Sequence, residues 1–144
     1  MISGGFPMSD LSRFVTAQQR SYSTALSEIR SGRKYSHWMW YIFPQIAGLG
    51  FSSTAQFYAI SSLQEAKDFL ADPYLGANLL EISAALLANP SDDPRYVMGY
   101  PDDLKLCSCM TLFREAGPQY PVFQQVLDKF YNGYPDERTL ALIR

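Results

Sequence analysis

The chain has 144 residues, of which 47% are hydrophobic, 15% aromatic and 18% charged, so it is long enough to bury roughly 70% of its unfolded surface and too apolar for a disordered chain. Twelve Lys and Arg against fourteen Asp and Glu leave a net charge of -2 with no long run of either sign, which removes the electrostatic footprint of a duplex nucleic-acid binder. Two cysteines make no disulfide framework, and no apolar run reaches the roughly 18 residues of a membrane span; a reduced, cytoplasmic setting with no membrane partner is expected, as a monomer or weak homodimer.

Helical spacing and helix punctuation recur, while alternating strands joined by Asn-Gly or Asp-Gly turns are missing. The expected fold is all-α, a compact single-domain bundle of about seven to nine short helices. Residues 1–9 lack the charged start and apolar run of a signal peptide and read as a flexible extension, which leaves 10–144 as one helical domain. Ser9 and Asp10 cap a first helix carrying Leu11, Phe14 and Val15. A second segment with Tyr22, Leu26 and Ile29 on one face stops at Gly32, so a hairpin of two helices is expected. Ser36 to Phe43 forms a short apolar segment that Pro44 ends, and Gln45 to Ser53, with Gly48 and Gly50, is the most flexible connection of the body.

Ser62 and Glu65 form a capping box before a helix that ends near Ala71. Asp72-Pro73 starts the next helix, with Leu75, Leu79, Ile82 and Leu86 on one stripe and a stop at Asn89-Pro90. Ser91 to Gly99 reads as a polar link. Pro101 then opens a helix with Asp102 and Asp103 in its first turn and a stripe of Leu104, Cys107, Met110 or Thr111 and Phe113. Gly117-Pro118 ends it. Val122, Val126, Leu127 and Phe130 mark another helix closed by Asn132-Gly133, and Asp136 caps the last one, with Leu140 and Ile143.

Chemistry concentrates in Arg33 to Gln45, which holds both tryptophans and the only histidine. At about 100° per residue Trp38 and Tyr41 share a helix face while Trp40 points elsewhere, so the rings do not all fit one core layer and some ring edge lines a cleft. Fixed cations beside flat π surface suit a small anionic, nucleotide-like ligand. The candidate binding residues are Arg33, Lys34, Trp38, Trp40, Tyr41, Gln45 and Lys105. His37 is the side chain best suited to proton transfer, with Asp102 and Asp103 as candidate base or charge stabiliser if their helix start faces the rings. The competing reading is plain: core tryptophans, a hydrogen-bonded histidine, and carboxylates that complement a helix dipole.

One histidine and a Cys-x-Cys pair lack the ligand sets of structural zinc, and Cys107 and Cys109 point about 200° apart on a helix, so packed thiols and no metal are expected. No P-loop, dinucleotide turn or nucleophile elbow occurs. No cofactor is implied.

Gly32-Arg33-Lys34, Ser36-His37-Trp38-Met39-Trp40-Tyr41-Ile42-Phe43-Pro44-Gln45, Gly48-Leu49-Gly50 and Pro101-Asp102-Asp103-Leu104-Lys105-Leu106 together resemble the domain of unknown function 1810 family, from about Asp10 to the C-terminus. The resemblance implies a small, mainly helical protein and carries no established activity. Cys109 stands where that family usually has serine.

Two readings of function follow. In the first, a cleft brings His37, Trp38, Trp40 and Gln45 toward Asp102, Asp103 and Lys105 around a nucleotide-like ligand, in a binder or in a hydrolase or transferase at an N-glycosidic bond of the ADP-ribosyl type. In the second, the His37–Gln45 segment is a non-catalytic surface for a protein partner. Whether a reaction is catalysed stays open at this level.

Overall fold

The computed structural model describes residues 9–144; the expected leader lies, except for Ser9, outside the described residues. Ser9 itself is tied down, donating from its backbone N–H and its hydroxyl to Asp68 Oδ2 at 3.2 and 2.8 Å. The regular structure among the described residues is nine helices and one isolated parallel bridge between Ile46 and Ile60. The fold is all-α.

Helix α1 (Ser12–Ser31) is a single element of 20 residues, not the expected hairpin. Nothing between its halves breaks a helix, and the buried Phe14, Gln18, Ala25, Leu26 and Ile29 form one continuous stripe. Gln18 is the polar member of that stripe. It is satisfied inside the protein, donating to the Tyr41 carbonyl at 2.8 Å and accepting from Asn78 at 3.0 Å. Gly32 ends α1 at φ 115°, where a side chain is disfavoured, and its N–H donates to Glu28 and Ile29 carbonyls.

The next elements are α2 (Met39–Ile42), α3 (Ser53–Tyr58), α4 (Leu63–Ala71), α5 (Pro73–Ala88) and α6 (Pro94–Met98). They are followed by α7 (Asp102–Ala116), α8 (Val122–Tyr131) and α9 (Glu137–Leu142). Side-chain caps set several starts: Ser62 accepts from Glu65 N–H, Asp72 from Tyr74 and Leu75, and Asp136 from Thr139. The box is modified, because Glu65 accepts from the Ser61 N–H at 2.9 Å and also pairs with Arg13. Two connections hold more structure than expected. The Gln45–Ser53 segment is pinned at its start by Ile60 N–H to Gln45 O and Ala47 N–H to Ile60 O, both 2.8 Å. The polar link contains α6, started by Asp93 and Pro94.

Helices α5 and α7 are the hubs: α5 packs on α1, α4 and α8, and α7 on α4, α6, α8 and α9. The α4–α5 corner is so close that a Cβ on Gly76 would meet the Leu70 carbonyl oxygen at 2.1 Å. A helix covered on several sides has no single stripe, so the stripe expected on α7 holds at Met110, Thr111 and Phe113 but not at Leu104. Leu104 is 56% exposed, while Leu106, Cys109, Met110, Leu112 and Phe113 are all buried. Through this core run the rings of Phe14, Phe69, Phe113 and Phe123, with successive centroids 5.1, 5.3 and 6.0 Å apart. No helix among the described residues is long and apolar enough to cross a membrane.

Candidate functional site

Past the left-handed turn at Gly32 the chain doubles back over the last turn of α1, and Glu28 fastens it there. The Glu28 carboxylate accepts from the backbone N–H groups of Tyr35 and Ser36 at 2.8 and 2.9 Å, from the Ser36 hydroxyl at 2.5 Å and from the Trp38 indole at 2.9 Å. Desolvation pushes its carboxyl up, but the Ser36, Tyr35 and Trp38 donors together outweigh it and hold it down at about 2. Nothing in the sequence pattern singles out Glu28, since its partners are loop amides that only the folded path brings near.

Trp38 points inward and is 1% exposed, with its ring 6.0 Å from Phe43. The expected stacking role of Trp38 is therefore corrected: a ligand has no access to its face, and its polar edge is spent on Glu28. Lys34 is 7% exposed and its Nζ sits 4.9 Å from the Trp38 ring centre. It pairs with Asp102 Oδ2 at 2.8 Å and donates to the Ser36 carbonyl at 2.6 Å. Lys105, one helical turn after Asp102, lies 3.8 Å from Asp102 Oδ1 and 5.6 Å from the centre of the Trp40 ring. Two indoles, two ammonium groups and one carboxylate thus form a chain, Trp38–Lys34–Asp102–Lys105–Trp40.

That chain borders a hollow of about 370 Å³ at the start of α7, whose walls include Tyr35, His37, Trp40, Tyr100, Asp102 and Lys105. Its volume falls within the usual range of small-molecule sites. His37 is exposed at its edge. Lys105, 29% exposed, is the cation best able to meet a ligand, while Lys34 is engaged in holding Asp102. Tyr35 and Tyr100, both largely exposed, supply the ring faces that Trp38 does not. Both flank the residues singled out in the sequence, but adjacency alone does not tell an exposed tyrosine from a buried one. The Tyr100–Pro101 peptide is cis.

Other expected members lie elsewhere. Asp103 turns from this hollow: its side chain is 10% exposed, Oδ2 is 3.9 Å from Arg95 Nε, and Oδ1 has no hydrogen-bond partner among the described residues. One helical step, about 100°, separates its direction from that of Asp102. Tyr41 faces a different groove beside Arg13 and Arg20, with its ring 5.3 Å from Tyr58 and its hydroxyl bonded to Ser21 at 3.0 Å. Arg33 is exposed, its guanidinium 5.7 Å from the Tyr35 ring and 4.8 Å from Tyr96, outside the hollow's lining. Gln45 lines a second, larger hollow of about 570 Å³, which shares Pro101 and Lys105 with the first. Cys107 borders this second hollow. Burial, and then the Asp136 charge, push its thiol up to about 11, so it is protonated near neutral pH and a poor nucleophile.

Residues 8–143 match the family described as a protein of unknown function, DUF1810. The chain is similar to the conserved hypothetical protein Rv1873 from Mycobacterium tuberculosis, a crystal structure that superposes with a TM-score of 0.91. The two are 46% identical, with 93% of this chain and 96% of that one covered. Among curated proteins no match is found.

Proposed function

Since the chain belongs to the DUF1810 family, described only as of unknown function, its own side chains must carry any reading, and we propose that the hollow beside His37 binds a small anionic ligand with a planar ring, of the nucleotide kind. The supporting observation is the Lys34–Asp102–Lys105 chain beside Trp40. Asp102 neutralises one of two ammonium groups, and Lys105 keeps a cation at a wall that also offers the Trp40, Tyr35 and Tyr100 rings. A phosphate meets the ammonium and a base or sugar meets the rings.

The reaction these groups suit is hydrolysis or transfer at an N-glycosidic bond of the ADP-ribosyl type. The bond between anomeric carbon and base nitrogen breaks, its electron pair leaving on nitrogen, and the Asp102 carboxylate stabilises the positive charge on the sugar. A water or acceptor hydroxyl forms the new carbon–oxygen bond. Its proton passes through His37 to the departing nitrogen. The alternative, a partner-binding face over His37–Gln45, has less surface to work with, since Trp38, Met39, Ile42, Phe43 and Pro44 are buried.

Titration with ADP and ADP-ribose, followed by tryptophan fluorescence and calorimetry, tests the binding. Saturable quenching is expected, with a stability gain of about 2.7 kcal/mol at 100 times the dissociation constant. Lys105→Met should weaken binding by about tenfold. Release of nicotinamide from NAD, which carries such a bond, followed by chromatography, tests the chemistry: Asp102→Asn and His37→Asn should lower turnover while ADP-ribose still binds. No binding of either compound at millimolar concentration would sink the reading.

A further inference from the structure

We infer that the natural ligand has two ring-bearing halves joined through a phosphate linkage, a dinucleotide-type molecule, with the linkage seated at Lys105. This inference rests on the nucleotide reading above and extends it to the second hollow. The two hollows share Lys105 and Pro101 as common lining, so the lysine side chain stands where they meet. The first, about 370 Å³, has room for little more than one ring with its sugar, whereas the second adds about 570 Å³.

The second hollow is equipped for a ring and not merely empty. Leu104 and Tyr134 offer apolar and aromatic faces that are 56% and 72% exposed. Among the described residues, the side chains of Gln45 and Asn132 make no hydrogen bonds, so both amides are available to the edge of a base. Arg138, exposed and without an ion-pair partner among the described residues, adds a cation to this second hollow. A ligand filling only the first hollow leaves all of these unused. A ligand with its charge in the middle and a ring at each end uses both.

The full-length protein is titrated with three probes: adenosine, ADP, and diadenosine pyrophosphate. Two halves joined in one molecule make the second contact intramolecular, so diadenosine pyrophosphate should bind at least about tenfold tighter than ADP, and adenosine the weakest. Arg138→Met and Asn132→Gly alter the second hollow only, and glycine suits the left-handed backbone of Asn132 at φ 55°. Both should bring the dinucleotide back toward the affinity of ADP and leave ADP itself unchanged. If ADP binds and the dinucleotide binds no tighter, or its advantage survives both substitutions, the two-halved ligand is overturned and the nucleotide reading stands. If neither phosphate-bearing probe binds, both fall.

Discussion

Glu28 accepts four hydrogen bonds from the Tyr35–Trp38 loop, and Lys129 donates to the carbonyls of Leu86, Leu87 and Asn89 where α5 ends. Each is one charge that replaces water for a cluster of polar groups that folding draws together. The difference lies in what is fastened. Lys129 closes the end of α5, where Asn89 also donates to the Ile29 and Gly32 carbonyls, and Lys129 itself lines neither hollow. Glu28 fastens the loop that supplies Lys34, Tyr35 and His37 to one wall of the first hollow. A many-bonded charge is therefore a mark of structural demand, and it bears on function only through the segment it orders.

Substitutions can break this comparison at several points. The largest loss is expected at Trp38→Ala, where the Glu28 loop enters the core, at about 3–5 kcal/mol in urea unfolding. Lys129→Met leaves three carbonyls without their donor and should cost about 2–3 kcal/mol, with ADP affinity unchanged within twofold in calorimetry. Glu28→Gln retains a shape that fills the same place but loses charge-assisted acceptance, at about 1–2 kcal/mol. Unlike the lysine variant, it should also weaken ADP several-fold. Equal ligand effects in the two variants would erase the distinction between them.

Acid sharpens the same contrast. The Glu28 carboxyl is held at about 2 against an ordinary 4.5, so the folded state binds its proton later than the unfolded chain does. Its contribution is complete above about pH 4.5 and is lost as the pH falls through about 2. Urea unfolding across that range should show the gap between wild type and Glu28→Gln closing toward low pH, while the gap for Lys129→Met persists. The smallest stability change belongs to Lys105→Met, within about 0.5 kcal/mol, although its effect on ADP is the largest of the set.

Much of this was legible without coordinates. His37, Trp40, Asp102 and Lys105 were singled out from residue type and spacing, and all four border one hollow. The errors share a cause. Trp38 and Trp40 are equal as sequence, yet one is sealed in the core and the other faces the hollow, because their directions on the turn around α2 differ by about 200°. Asp102 and Asp103 part in the same way. The hairpin expected in α1 is absent because nothing between its halves stops a helix, and the polar Gln18 is carried inside by Asn78 and the Tyr41 carbonyl from other elements.

Helix starts at Ser62, Asp72-Pro73 and Asp136 and the stop at Gly32 can be read from the residues alone, because a cap or a left-handed stop is a matter of three or four neighbouring residues. The all-helical class follows from the same local signals. That Lys34 meets Asp102, that Glu28 receives a loop, and that Gln45 belongs to a second hollow across Lys105 is visible only once the chain is folded. Those meetings depend on how α6 and α7 pack against the segment leaving α1, and packing is a property of the whole core, not of any local run.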